Sequence, residues 1–128
     1  MNKSFIIIIF FIALSSFSQE INNDLIYKLS EVEKKPEFNG GIDNFYKFIN
    51  SKIIVEYSSQ YHGIIVIEFI VEKNGSLSSF IILSDFGFGS GEEAIRVLKL
   101  SPNWSPGEKN GKPVRTIYTL PITIEKRD

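Results

Sequence analysis

The chain has 128 residues, a formal net charge of −1 and no cysteine. This length is that of a single domain. The near-neutral charge argues against a nucleic-acid partner, and the lack of cysteine excludes disulfides and thiol chemistry. Eleven phenylalanines, five tyrosines and one tryptophan supply bulk for a small hydrophobic core.

The first residues predict a secretory signal peptide over residues 1–18. Lys3 gives a positive start, an unbroken apolar run covers residues 5–14, and small residues stand at Ser16 and Ser18, which fits cleavage between Ser18 and Gln19. The alternative is an uncleaved anchor in the inner membrane, although a spanning helix needs roughly 20 apolar residues. We therefore expect a periplasmic protein with a polar arm over residues 19–35 and a main domain over residues 36–128.

The next segment predicts a turn, a helix and a hairpin. Residues 36–41 are rich in Pro and Gly, and apolar residues recur at helical spacing over residues 42–50. Residues 63–72 form the strongest strand, and Asn74-Gly75 predicts a two-residue turn into a second strand over residues 77–83. That register pairs Val71 with Ser78 and Ile67 with Ile82, and it gives the hairpin one core face: Ile65, Ile67, Phe69, Val71, Phe80 and Ile82.

A second helix and a third strand complete the predicted fold. Ser90 and Glu93 have the spacing of a capping box, which predicts a helix over residues 92–100. Residues 114–124 alternate as a strand, and Pro121 indicates a sheet edge because it has no amide hydrogen to donate. The sequence thus predicts an α+β fold: a three-stranded antiparallel sheet of order 2-1-3 with both helices on one face.

The sheet face opposite the helices is unusually apolar, because it carries Ile64, Val66, Ile70, Leu77 and Ile81. Two explanations are open. The arm over residues 19–35 covers this face, or the face is a second interface, for a partner or for a second copy of the chain. The residues predicted for such an interface are Ile64, Val66, Ile70 and Ile81.

No catalytic or metal-binding constellation is present in the sequence. His62 is the only histidine, so a zinc site would need carboxylates for nearly every ligand. The glycine-rich residues 86–91 match neither phosphate-binding pattern and indicate a turn into a helix. We expect no enzyme activity, no cofactor and no metal, which makes a small hydrolase the least favoured class of function.

Several short motifs, in this order and spacing, resemble the TonB C-terminal domain family, the periplasmic domain of TonB-type energy transducers. The resemblance runs from about Val32 to Ile124, and Asn39 stands where that family usually has proline. The motifs are Pro36-Glu37-Phe38, Gly40-Gly41, Asn74-Gly75, Glu93-Ala94-Ile95-Arg96, Trp104-Ser105-Pro106-Gly107, Asn110-Gly111-Lys112-Pro113-Val114 and Leu120-Pro121.

This resemblance implies a non-enzymatic protein that binds an extended peptide of an outer-membrane TonB-dependent receptor by strand addition. It places the docking edge on the last strand, with Arg115 and Lys112 available to attract acidic receptor groups. The edge residues are Arg115, Thr116, Ile117, Tyr118, Thr119 and Leu120. The alternative is a stand-alone interaction or assembly module of the cell envelope that does not transduce energy.

Overall fold

The computed structural model describes residues 25–54 and 62–125. The predicted signal peptide, its Ser18–Gln19 cleavage site and residues 19–24 of the arm lie outside these ranges. None of the helices in the described ranges is long and apolar enough to span a bilayer. The elements in chain order are β1 (Ile26–Tyr27), a 3₁₀ helix (Leu29–Glu31), α1 (Ile42–Lys52), β2 (Gly63–Val71), β3 (Leu77–Ser84), α2 (Ser90–Leu98), β4 (Gly107–Lys109) and β5 (Lys112–Ile124).

The sheet confirms the α+β class and extends the predicted strand arrangement. Its order is β1-β5-β2-β3, with β4 pairing separately with β5. The antiparallel trio β3-β2-β5 reproduces the predicted order 2-1-3. The prediction of three antiparallel strands was wrong in number and direction, because β4 also pairs with β5 and β1 pairs with it in parallel. Strands of two and three residues are too short to show the alternation on which the prediction relied.

The predicted register of the β2–β3 hairpin is wrong at its turn and right farther along. Val71 pairs with Leu77 rather than Ser78, because the Glu72 amide donates to the Ser76 carbonyl at 2.8 Å and the loop is one residue longer than predicted. Ser79, with a φ of 54°, lies in an irregularity that restores the Ile67–Ile82 pair. Leu77 therefore lies on the core side, not on the open face.

One hydrophobic core lies between the sheet and the two helices, and Trp104 is at its centre. The Trp104 ring is 5.3 Å from Phe45 on α1, 5.6 Å from Phe69 on β2 and 5.3 Å from Tyr118 on β5. Its indole N–H donates to the Ser101 hydroxyl at 3.0 Å, so burial leaves no polar group of the ring unsatisfied. The Trp104 connection thus joins α1 to both long strands that carry the core.

The segment Glu93–Arg96 ties α2 to the end of α1. The Glu93 carboxylate accepts from the Ile54 amide at 2.6 Å, and the Arg96 guanidinium donates both to Glu93 and to the Lys52 carbonyl. The predicted capping box is therefore wrong. Gly89 caps the helix, and Glu93 accepts from the Ile54 amide just after α1 instead of from an amide at its own N-terminus, while Arg96 satisfies the Lys52 carbonyl.

Candidate strand-docking edge

The last strand, β5, pairs with β2 along one edge from residue 116 to residue 124 and is less extensively paired along the other edge. Against β2 it makes nine consecutive pairs, from Gly63–Ile124 to Val71–Thr116, without a shift in register. On the other edge, Ile26 pairs with Arg115 and Tyr27 pairs with Thr116, in parallel. Among the described residues, no strand pairs with this outer edge from 117 to 124.

Pro121 shows which backbone groups of β5 face outward. It lies opposite Val66 in the register, and its carbonyl accepts a hydrogen bond at 3.2 Å from the Tyr46 hydroxyl of α1. A residue without an amide hydrogen fits the position whose polar groups face away from β2. Because backbone groups alternate along an antiparallel strand, Ile117 and Thr119 also direct their amides and carbonyls to the outer edge.

Side chains of the six predicted edge residues alternate between two faces. Thr116 and Leu120 are buried and Tyr118 is half-buried within the core, whereas Ile117 is half-buried and Thr119 exposed on the open face. A docked strand would therefore meet the side chains of Ile117 and Thr119. It would not contact Thr116 and Leu120, whose side chains serve the fold.

Arg115 is engaged within the fold. Its guanidinium donates to the Glu72 carboxylate through two bonds of 2.6 and 3.2 Å, and the Ser78 hydroxyl donates to the same carboxylate at 2.5 Å. The Arg115 hydrogen bond lowers the pKa of Glu72. We expected Arg115 to attract acidic receptor groups. Those groups would have to compete with Glu72, which already accepts from the same guanidinium.

Residues 25–34, here named the strap, cover the first two residues of the edge. After Tyr27 the strap stops pairing with β5 and forms the 3₁₀ helix, where the Lys28 amide donates to Glu31 at 2.9 Å. The strap then bonds to β4, since the amides of Glu33 and Lys34 both donate to the Glu108 carbonyl, at 2.9 and 3.2 Å. These hydrogen bonds fix the far end of the strap on β4, while its 3₁₀ helix stays close to β5.

A cavity of about 370 Å³ opens where the strap leaves β5. Sequence reasoning missed this cavity and the strap strand, although the apolar triplet Leu25-Ile26-Tyr27 within a polar arm was a signal for the latter. Its lining combines strap residues with open-face residues of β2 and β5: Lys28, Leu29, Ser30, Glu68, Ile117 and Thr119.

The predicted second interface is only partly exposed. Ile64 and Ile81 are 56% and 52% exposed, Val66 is half-buried, and Ile70 is only 9% exposed. The described part of the arm pairs with β5 and bonds to β4. In the cavity where the strap leaves β5, its residues 28–30 lie beside open-face residues of β2 and β5 without reaching Ile64 or Ile81. A second copy of the chain as occupant of this face stays a prediction.

The geometry defines a class: an α+β domain that offers a partly open strand edge. Within residues 25–54 and 62–125, no cluster of three His, Cys, Asp or Glu side chains could hold a metal ion. The model of the family described as Gram-negative bacterial TonB protein C-terminal matches residues 56–124, which is more than half of the chain. The chain belongs to this family, as its motifs predicted.

The family match has a defined extent and context. It covers β2 through β5, so the motif Pro36-Glu37-Phe38 and helix α1 lie outside it. The family is non-enzymatic, periplasmic and related to transport, and its domains generally interact with outer-membrane receptors. No curated protein and no solved structure matches the chain.

Proposed function

We propose that this protein is exported to the periplasm and binds an extended peptide of an outer-membrane TonB-dependent receptor. The peptide adds as a strand to β5 beside residues 117–120. The observation that carries the proposal is the divided edge of β5: the strap already pairs with Arg115 and Thr116, and the next residues of the same edge carry no strand within the described part of the chain. An edge that accepts two residues of its own chain has the geometry for strand addition.

The expected complex is weak and depends on backbone bonds. Ile117 and Thr119 each offer one amide and one carbonyl to the docked strand. Each hydrogen bond contributes about 1 kcal/mol net, so the interaction needs side-chain contacts on the open face as well. Ile117 is half-buried beside the edge and supplies apolar surface for such a contact.

Substituting Thr119 by proline tests the edge directly. Thr119→Pro removes an outward amide and leaves the paired edge of β5 intact, so receptor N-terminal peptides should bind about tenfold more weakly. Titration calorimetry or fluorescence anisotropy measures the dissociation constant, and circular dichroism verifies the fold.

Thr123→Pro is the matched control, since Thr123 has the same outward alternation and lies beyond Pro121 on β5. Its affinity should stay within about twofold of wild type. Equal affinity in folded Thr119→Pro and wild type would rule out this edge. Receptor peptides that fail to bind the wild type would favour the stand-alone envelope module instead.

A further inference from the structure

We propose that the cavity beside the open edge receives a basic side chain of the docked peptide, with Glu68 as its counter-charge. The inference rests on the proposed function, because the peptide strand must lie on β5 for its side chain to reach the cavity. It names a chemical class for one peptide position: lysine or arginine at the residue opposite Thr119.

Glu68 has the right place in the register. It lies on the open face of the central strand, opposite Thr119 of β5 and Ile81 of β3, so both cross-strand neighbours are uncharged. A residue docked opposite Thr119 would be two strand spacings from β2, about 10 Å. The short Thr119 side chain leaves room above it, and a long basic side chain can extend across that room to meet the Glu68 carboxylate.

The charges around the cavity favour a cation. Glu68 is half-buried and forms no ion pair with any described residue, while the nearby Arg115 guanidinium is held by Glu72. Lys28 also lines the cavity, but it is exposed, so water screens its charge. The partly shielded carboxylate therefore exerts the stronger effect on an incoming side chain.

Other side chains would fit less well at this position. A large apolar group would remove water from the Glu68 carboxylate without replacing its hydrogen bonds, which is unfavourable. An acidic group would repel it. The expected order of affinity is therefore lysine or arginine first, an uncharged chain of similar length second, and glutamate last.

The test uses the receptor peptides of the Thr119→Pro titration, made as sets with lysine, norleucine or glutamate at each successive position. Wild type should prefer lysine over norleucine by about fivefold at one position, and added salt should reduce that preference. Glu68→Gln should bring the lysine and norleucine peptides within about twofold of each other, because lysine loses its counter-charge and norleucine no longer desolvates a carboxylate.

Glu92→Gln on α2 is the matched control, because it removes the same charge from an exposed helical site and should keep the lysine preference. The inference is overturned if no position shows a charge preference, or if Glu68→Gln retains the preference of wild type. When either result occurs while Thr119→Pro still weakens binding, the proposed function survives. If no peptide of any set binds wild type, both proposals are overturned.

Discussion

The two strands on either side of β2, namely β5 and β3, differ in the regularity of their pairing with it. The β5 edge belongs to a strand with nine unshifted pairs against β2, whereas β3 pairs with β2 through two irregularities. Along the described chain neither outer edge is fully paired, since β3 ends the strand order and the strap covers only two residues of β5. A visiting strand needs evenly alternating donors and acceptors, and only β5 presents them over residues 117–120.

The irregularities of β3 explain how an apolar edge strand can remain unpaired. β3 has no charged residue and no proline, so it lacks two common protections against unwanted pairing. Its shifts in register, one beside Ser79, interrupt the bonding pattern and twist the strand instead. The comparison shows that the proposed docking edge is the regular one, and that the bulged edge is protected by its shape.

The largest expected loss of stability comes from substituting a glycine in the hairpin turn of an edge strand. Gly75 of the β2–β3 turn has a φ of +88°, and a Cβ there would lie 1.9 Å from the Trp104 carbonyl oxygen. Gly75→Ala should therefore lower the free energy of unfolding by about 3 kcal/mol, because the clash is with backbone. Urea denaturation measures the loss.

Gly111 of the β4–β5 turn is the matched control, with a φ of +74° and, apart from its chain neighbours, no heavy atom within 4 Å of the Cβ that alanine would add. Gly111→Ala should lower the free energy of unfolding by only about 1 kcal/mol, the cost of a left-handed alanine. Equal losses at the two glycines would contradict the conclusion that the Gly75 turn is packed against the Trp104 backbone, whose amide donates to the Gly75 carbonyl at 2.8 Å, while the Gly111 turn is open.

Glu72 offers a smaller and pH-dependent effect, because it joins the two edge strands across β2. Arg115 of β5 and Ser78 of β3 both donate to its carboxylate, and both members of the ion pair are 25% exposed. Glu72→Gln should lower the free energy of unfolding by about 1 kcal/mol at neutral pH. Ser78→Ala should cost less, since it removes one neutral donor and keeps the ion pair.

The pH dependence has a definite sign. Arg115 lowers the folded-state pKa of Glu72 from its usual 4.5, so the stabilisation is present above that value and is lost as the pH falls through the folded-state pKa. The difference between wild type and Glu72→Gln in urea should therefore shrink as the pH falls below 4.5 and through the lowered pKa of folded Glu72. A difference that stays constant from neutral to acid pH would show that the ion pair does not stabilise the fold.

Sequence patterns predicted the parts of this fold that repeat over many residues. The alternation in β2 and β5 gave the core face and the central position of β2, because each buried position recurs every second residue. The hairpin register at the turn was wrong because Asn74-Gly75 also fits a longer loop, and Ser79 then absorbs the shift with a positive φ that serine rarely adopts. The prediction that Glu93 forms a capping box was wrong because its hydrogen-bond partner, the Ile54 amide, is 39 residues away in sequence.

The sequence indicated which strand carries the candidate site, but not the strap and cavity that lie beside it. Pro121 and the family motifs pointed to β5, since proline constrains pairing wherever the strand lies. The strap and the cavity were not predictable. A two-residue strand carries no periodicity, and the cavity is lined by residues as far apart in sequence as Lys28 and Glu68, 40 positions. Tertiary contact, rather than local pattern, creates the surface that a peptide side chain would meet.

Residue-resolved amide hydrogen exchange, measured by NMR with and without a receptor peptide, tests the central claim most directly. In the free protein the outward amides of Ile117 and Thr119 should exchange rapidly, whereas those of Tyr118 and Leu120, which face β2, should be protected. Adding peptide should slow Ile117 and Thr119 by about tenfold or more and leave β3 unchanged. Peptide-induced protection along β3 instead, with Ile117 and Thr119 unaffected, would contradict the account.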